Sequence, residues 1–189
     1  PGASLSLARG GIAASSARAN ALPQPLATTP TLDIPNTGYF GGGGNPTTPV
    51  QYSTIDKVYY STDTTLASGA SLSAARGFLA ATGSSTAGYF GGGFPGPYST
   101  MDKVTYSTDT RTTVPGAALS IARYGPGATG SSTAGYFGGG TPGTYSTMDK
   151  VTYASDTTAA VPGAALSVAR YYLAATGSST AGYFGGGNA

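Results

Sequence analysis

Four residue types are missing from this chain: cysteine, histidine, glutamate and tryptophan do not occur among its 189 residues. Without cysteine there is no disulfide framework and no thiolate nucleophile, so the redox compartment stays open. Without histidine no serine has its usual activating base, and the remaining carboxylates, all aspartates, are too dispersed for a calcium loop. We therefore predict no catalytic residue, no metal site, no cofactor and no enzymatic activity.

Charge is also scarce. Only 8% of the residues are charged, against roughly 25% in an ordinary soluble domain. A formal net charge of +2 is too small and too scattered to drive nucleic-acid binding. No run of apolar residues is long enough for a membrane span, and residues 1–20 lack the apolar core of a secretory signal. The chain starts at Pro1, which fits either a processed N-terminus or a fragment.

What the chain has in abundance is a tandem repeat, and three strings recur along it. GYFGGG begins at Gly38, Gly88, Gly135 and Gly182. [IM]DKV begins at Ile55, Met101 and Met148. LSxAR begins at Leu5, Leu72, Leu119 and Leu166. The fixed places of tyrosine, phenylalanine and valine exclude a disordered chain. We divide the single repeat domain, 1–189, into a partial repeat 1–15, an inserted loop 16–37, full repeats 38–87, 88–134 and 135–181, and a partial repeat 182–189.

Each unit of about 47 residues divides into four short strands. In residues 123–170 they are a segment ending at Gly130, then Ala134 to Phe137, Met148 to Tyr153, and a strand from Thr158 to Val161. Met148 to Tyr153 alternates apolar and polar residues, which is typical of a half-buried strand. A helix over 164–175 is the alternative, but the equivalent Pro126 one unit earlier would break it.

The recurring strings resemble the kelch repeat. GYFGGG is similar to the kelch strand that ends in a double glycine, DKVTYSTDT to the strand with a tyrosine and an aspartate turn, and ALSxAR to the link that carries an arginine. The usual kelch tryptophan is missing, and its place falls to Val114 and Val161 or stays empty. The resemblance implies an all-β, kelch-like β-propeller with about four four-stranded antiparallel blades, not necessarily complete. In style the repeats are also similar to those of predicted structural proteins of aquatic viruses (phages).

We interpret the recurring glycine, aspartate and arginine residues as structural. The glycine runs starting at Gly41, Gly91, Gly138 and Gly185 allow close approach and positive φ; a phosphate loop would need a following helix and lysine. Aspartates come in pairs seven residues apart, whereas a catalytic pair is normally unique. We predict backbone or arginine bonding for Asp56, Asp102 and Asp149, whose partners would be Arg76, Arg123 and Arg170, and strand-to-strand turns for Asp63, Asp109 and Asp156.

The tyrosines divide into two groups. Those of the GYF and KVxY strings lie in apolar strands, which favours core filling. The others of interest lie in glycine- and proline-rich loops and are our candidate contact face: Tyr52, Tyr98 and Tyr145.

These observations favour a structural or adhesion protein of a virion (tail or fibre) or of an extracellular filament. Its partners would be other protein chains in an oligomer or larger assembly, with a glycan or host receptor as a further partner. An intracellular kelch-type interaction module is the alternative, and a sugar-acting or sugar-binding propeller is less favoured. The S-T-D-T turn resembles the sialidase Asp-box but lacks its glycine and tryptophan.

Two expectations concern completeness. The proline-bearing insertion 16–37 should be a loop that packs on a neighbour or an outer face. The chain should not close a propeller by itself, because its last unit has no DKV strand. That strand would come from a longer polypeptide or from a neighbouring copy.

Overall fold

The computed structural model describes residues 13–16, for which it gives the backbone, and residues 36–44 and 49–189. The described chain is all-β and antiparallel, as the sequence predicts. The strands are β1 Ala13–Ser16, β2 Thr37–Gly41, β3 Thr54–Tyr59, β4 Thr64–Ser71, β5 Ala80–Gly83, β6 Ala87–Gly91, β7 Met101–Thr105, β8 Thr110–Thr113, β9 Gly127–Gly130, β10 Ala134–Gly138, β11 Met148–Thr152, β12 Thr157–Ala160, β13 Ala174–Gly177 and β14 Gly182–Gly185.

These strands form three sheets of four strands and one hairpin. The first sheet has the order β1-β2-β3-β4, the second β5-β6-β7-β8 and the third β9-β10-β11-β12, and β13 and β14 form the terminal hairpin. Each sheet is a simple meander in which neighbours in sequence are neighbours in space. Residues 17–35 of the predicted insertion lie outside the described residues, and so does its predicted packing.

The strand boundaries follow the periodicity of the repeat. The strands of residues 123–170 agree with their predicted positions within a few residues. Helical structure in the described ranges amounts to two 3₁₀ turns, Pro115–Ala117 and Pro162–Ala164, each starting at a proline that fits the first helical position. The helical alternative for 164–175 is wrong, because the chain leaves the 3₁₀ turn at Ala164 and enters β13 at Ala174.

The sheets stack so that their first strands lie side by side: β1 contacts β5, β5 contacts β9, and β9 contacts β13. A sheet between two others buries both faces, and successive side chains of a strand then point to different neighbours. In β7 and its extension, Val104 and Tyr106 join the core shared with the first sheet, whereas Met101 joins the core shared with the third. Of the two polar residues between Met101 and Val104, Asp102 is fully buried.

Burial decreases from the first two sheets to the terminal hairpin. Equivalent tyrosines of the GYF strings are 0% exposed at Tyr39, 1% at Tyr89 and 66% at Tyr183. The core therefore consists of two layers, one between the first and second sheets and one between the second and third.

Phe137 on β10 tests this layering. It is fully buried between the second and third sheets, and we expect Phe137→Ala to lower the free energy of unfolding by about 3–5 kcal/mol. Phe184→Ala changes the same motif in the terminal hairpin, where Phe184 is half-buried, and it should lower the free energy of unfolding clearly less. Urea unfolding followed by circular dichroism measures both, and equal losses would contradict the layered core.

Candidate functional site

A buried ion pair recurs in the second and third sheets. Arg76, in the segment before β5, places Nη2 3.0 Å from Oδ2 of Asp102 on β7, and both side chains are 0% exposed. Arg123 and Asp149 repeat the pair at 2.8 Å, again with both side chains 0% exposed. The sequence predicts backbone or arginine bonding for these aspartates, and both occur, because Asp102 and Asp149 also accept from the backbone N–H groups of Ser73 and Ser120.

Further hydrogen bonds join this ion pair to neighbouring segments. Arg76 Nη2 donates to the carbonyl of Phe90 at 3.3 Å. Asp102 Oδ2 accepts from both the backbone N–H and the hydroxyl of Ser73, each at 2.8 Å. Burial lowers the pKa of the Arg76 guanidinium, and the charge of Asp102 opposes that shift. The pair thus ties the linker between two sheets to the middle strands of the second.

A second set of contacts joins each sheet to the next, and we call it the inter-sheet clamp. Between the first and second sheets, the ring of Tyr39 on β2 stacks on Tyr106 with centroids 4.7 Å apart. The Tyr39 hydroxyl donates to Oδ1 of Asp109 at 2.6 Å, and Lys57 Nζ on β3 lies 2.9 Å from its Oδ2. Aromatic stacking and a charge-assisted hydrogen bond therefore act on the same four residues.

The same clamp joins the second and third sheets. Tyr89 stacks on Tyr153 at 4.9 Å, and Lys103 Nζ lies 2.8 Å from Oδ2 of Asp156. The Tyr89 hydroxyl donates to Oδ1 of Asp156 at 2.5 Å. The hydroxyls of Tyr153 and Thr82 lie 2.9 Å apart, within hydrogen-bonding distance.

Burial and a carboxylate acceptor change the ionisation of the clamp. Burial, reinforced by the hydrogen bond to Asp109, raises the pKa of Tyr39 to about 12. Burial opposes protonation of Lys57, but its hydrogen bonds to Asp109 and Tyr39 outweigh it and raise the pKa of that ammonium. Burial also raises the pKa of Tyr153 to about 12.

The turn aspartates have a role that sequence reasoning missed. Asp63, Asp109 and Asp156 lie in turns with φ between 49° and 51°, a conformation that aspartate tolerates better than most residues. Asp109 and Asp156 additionally bind the tyrosine and lysine of the preceding sheet. A signal was present, because the Tyr, Lys and Asp positions recur together in the repeat.

The predicted structural glycines lie where the second strand of each sheet ends. A Cβ at Gly91 would approach Met101 Cε to 2.7 Å, and one at Gly138 would approach Met148 Cε to 2.7 Å. At Gly41 it would come within 2.9 Å of Phe90, a residue of the next sheet. At Gly185 it would meet nothing within 4 Å.

The predicted contact-face tyrosines are half-buried. Each uses its backbone to hold the arginine segment that follows: Tyr52, Tyr98 and Tyr145 accept from the N–H groups of Arg76, Arg123 and Arg170. The ring of Tyr98 also lies 5.8 Å from the Arg76 guanidinium. Their use as a contact face stays a prediction.

An aromatic cluster that the sequence did not reveal is more exposed. Phe78, Phe94 and Tyr172 are 38%, 37% and 45% exposed. The ring of Phe78 lies 6.4 Å from Phe94 and 5.3 Å from Tyr172. Phe78 and Tyr172 have φ values of 53° and 55°, which is uncommon for bulky side chains and is found where the surrounding structure imposes it.

The remaining members of the two repeated sets, Asp56 and Arg170, lie in the first sheet and before the terminal hairpin. Asp56 on β3 is fully buried, and Arg9, which precedes the first sheet as Arg76 precedes the second, lies outside the described residues. Arg170 precedes the terminal hairpin, and its Nη2 donates to the carbonyl of Phe184 at 3.0 Å. Within residues 13–16, 36–44 and 49–189, no carboxylate binds Arg170.

A cavity of about 330 Å³ opens between the third sheet and the terminal hairpin. Its walls include Thr129, Tyr136, Met148 and Leu166 from the third-sheet unit and Phe184 from the hairpin. We call this cavity, with β14 and Arg170, the open interface. It occupies the place where the two inner interfaces have a clamp.

In comparisons with known proteins, neither a family model nor a curated protein matches the chain. Across the described ranges, no three acidic side chains come together as a metal site. None of the helical segments there is long and apolar enough to cross a membrane.

The buried ion pair can be tested with Asp149→Asn. Because Arg123 would lose its counter-charge inside the protein, we expect the free energy of unfolding to fall by about 3–5 kcal/mol. The control is Asp63→Asn in an exposed turn at φ 50°, which asparagine also adopts, and it should change stability little. Urea unfolding measures the free energy of unfolding of both variants, and similar losses in the two would contradict a stabilising role of the buried ion pair.

The clamp tyrosines predict loss of stability at high pH. The pKa of Tyr39 and Tyr153 is about 12 in the folded protein, above the ordinary value of 10.0. Because the folded-state pKa is raised, the stabilisation that each tyrosine contributes is fully present below pH 10. This stabilisation is lost as the pH rises through 12. Urea midpoints measured across this range should fall, and they should fall less steeply for Tyr153→Phe than for the parent chain. A flat profile would contradict the assignment.

Proposed function

We propose that this chain is a non-enzymatic structural protein whose repeat units are kelch-like propeller blades. The support is architectural: three four-stranded antiparallel meanders follow one another with their first strands side by side. Blades of a propeller radiate from an axis in this manner, and four strands per blade is the usual number. We place the protein in a virion tail or fibre or in an extracellular filament, as a scaffold that also supports adhesion.

One observation carries this proposal: the charged side chains that recur in the repeat are used for holding strands and sheets. Arg76 and Arg123 hold Asp102 and Asp149 inside the second and third sheets. Lysines and tyrosines of one sheet hold the turn aspartate of the next. A catalytic carboxylate needs a solvent-reachable substrate and an environment unlike that of its copies, whereas these copies share one environment.

The partners that we propose are other protein chains. Exposed apolar surface supports this: Leu66 is 60% exposed on β4 and Val168 is 55% exposed in the last arginine segment. Few charged residues are present to keep such side chains solvated, and we propose that they contact protein partners. An oligomer or larger assembly follows, with low salt dependence because few charges take part.

The cluster of Phe78, Phe94 and Tyr172 favours a second candidate function, binding a ligand through its aromatic surface. Exposed rings held in place by their backbone are typical contact residues for protein or glycan ligands. A kelch-type interaction module or a sugar-binding propeller would use such a surface.

The proposed location has a direct test. If the protein is a virion or filament component, purified particles from the source should contain it at stoichiometric amounts by mass spectrometry. Immunogold labelling with antibody raised against residues 49–189 should decorate the particles. A chain recovered solely from the soluble intracellular fraction, with unlabelled particles, would contradict the proposal.

A further inference from the structure

The aromatic cluster of Phe78, Phe94 and Tyr172 lies at one end of the stacked sheets. Phe94 is in the connection from β6 to β7, and Phe78 and Tyr172 are in the connections that enter β5 and β13. Gly77 and Phe94 pair through two backbone hydrogen bonds, which join two of these connections. In a meander such connections lie opposite the turn between the third and fourth strands. The three rings therefore form one surface on a backbone that is tied together.

Two of the rings occupy a position of the repeat that suits glycine. Phe78 and Tyr172 each lie two residues after the repeat arginine, and Gly125 has this position in the unit between them. In chain order the three residues have φ values of 53°, 67° and 55°. Glycine adopts this conformation without steric cost, whereas phenylalanine and tyrosine are strained in it. Two units therefore keep an aromatic residue where glycine fits the backbone better, and strained residues of this kind are typical of binding sites.

Gly125 allows the rings of its two neighbours to meet. Its N–H donates to the carbonyl of Phe78 at 2.6 Å, and its carbonyl accepts from the N–H of Tyr172 at 2.8 Å. A Cβ on Gly125 would approach Cδ1 of the Tyr172 ring to 2.6 Å. The Tyr172 ring thus lies over the Gly125 backbone and comes within 5.3 Å of the Phe78 ring, centroid to centroid.

Phenol hydroxyls border the cluster on two sides. The ring of Tyr124 packs on Phe94 with centroids 5.4 Å apart, and the ring of Tyr171 packs on Tyr172 at 4.9 Å. Partial burial, and then the neighbouring phenol groups of Tyr124 and Tyr171, raise the pKa of Tyr172. The three phenol groups are therefore within electrostatic reach of one another. The surface combines apolar ring faces with neutral hydrogen-bonding groups.

The segments that carry these rings have no charge of their own. They are residues 77–100, 124–147 and 171–189, and none contains an acidic or basic residue. Arg76 and Arg123, which precede two of them, are fully buried in their ion pairs. Arg170, which precedes the third, donates to the carbonyl of Phe184. Recognition at the cluster therefore depends on apolar contact and neutral hydrogen bonds.

We propose that the aromatic cluster is a binding site for a neutral carbohydrate. A pyranose ring has a C–H face that packs on an aromatic ring, and its edge carries hydroxyls that exchange hydrogen bonds with phenol groups. An apolar protein segment would instead bury those phenol groups without partners. The fixed backbone limits the entropy lost on binding. This inference rests on the second candidate function, binding through the aromatic surface, and names the class of ligand.

The test is binding of the whole chain, fluorescently labelled, to an array of immobilised neutral and anionic glycans. We expect saturable binding to neutral glycans that high salt leaves unchanged. Phe78→Gly and Tyr172→Gly should each weaken this binding about 10-fold or more. Their urea midpoints should stay close to that of the parent chain, because relief of the positive φ offsets the lost ring contacts. A purely structural role of these rings predicts the reverse, a lower midpoint with unchanged glycan binding.

Two further variants keep the test independent of the positive-φ positions. Phe94→Leu retains an apolar side chain but removes a ring face, and it should also weaken glycan binding about 10-fold. Tyr60→Leu is the matched control, because Tyr60 is 41% exposed and follows β3 at the opposite end of the sheets. It should bind glycans as the parent chain does.

The proposal fails if no neutral glycan of the array binds, if binding is confined to anionic glycans, or if the three cluster variants bind as the parent does. Self-association in light scattering that the same variants abolish, without glycan binding by the parent, would assign the cluster to protein contacts. The candidate function of the aromatic surface would then stand while the carbohydrate assignment fails. Particle labelling tests the scaffold proposal separately from all these results.

Discussion

The buried pairing of one arginine with one aspartate is the constraint on which the other contacts depend. Removing two charges from water is expensive, and the cost is repaid when geometry is good and the remaining donors and acceptors are satisfied. Arg76 and Asp102 meet this condition in part: Phe90 and Ser73 bind them, whereas Nε of Arg76 is buried without a hydrogen-bond partner. Because the arginine lies before the first strand and the aspartate on the third, the pair holds the order of strands within a sheet.

The inter-sheet clamp adds the second level of organisation. It joins Tyr39 and Lys57 of one sheet to the turn aspartate Asp109 of the next, so the turn conformation and the sheet stacking depend on each other. The aspartate side chain suits both tasks, since it tolerates positive φ and accepts two charge-assisted hydrogen bonds. In the third sheet Tyr136 and Lys150 stand at the positions of Tyr39 and Lys57, and no carboxylate among the described residues binds Lys150.

The sequence was sufficient for the parts of the fold that depend on neighbours along the chain. The strand at Met148–Thr152 and the aspartate turns follow from local periodicity and turn chemistry. The clamp was not predictable in the same way, because its partners lie 52 and 70 residues apart and a repeat does not reveal which unit binds which. The aromatic cluster around Phe78 was missed because nothing local predicts positive φ for phenylalanine.

The alternation of side chains along β7 gives the stack of sheets a direction. Val104 and Met101 lie in different cores, so the two faces of a sheet are chemically unlike and every junction is heterologous. A heterologous junction has polarity: units are added head to tail, and the product closes into a ring only if the rotation per unit divides a full circle. The angle between successive sheets therefore decides whether a row of such units closes into a ring or continues as a helix.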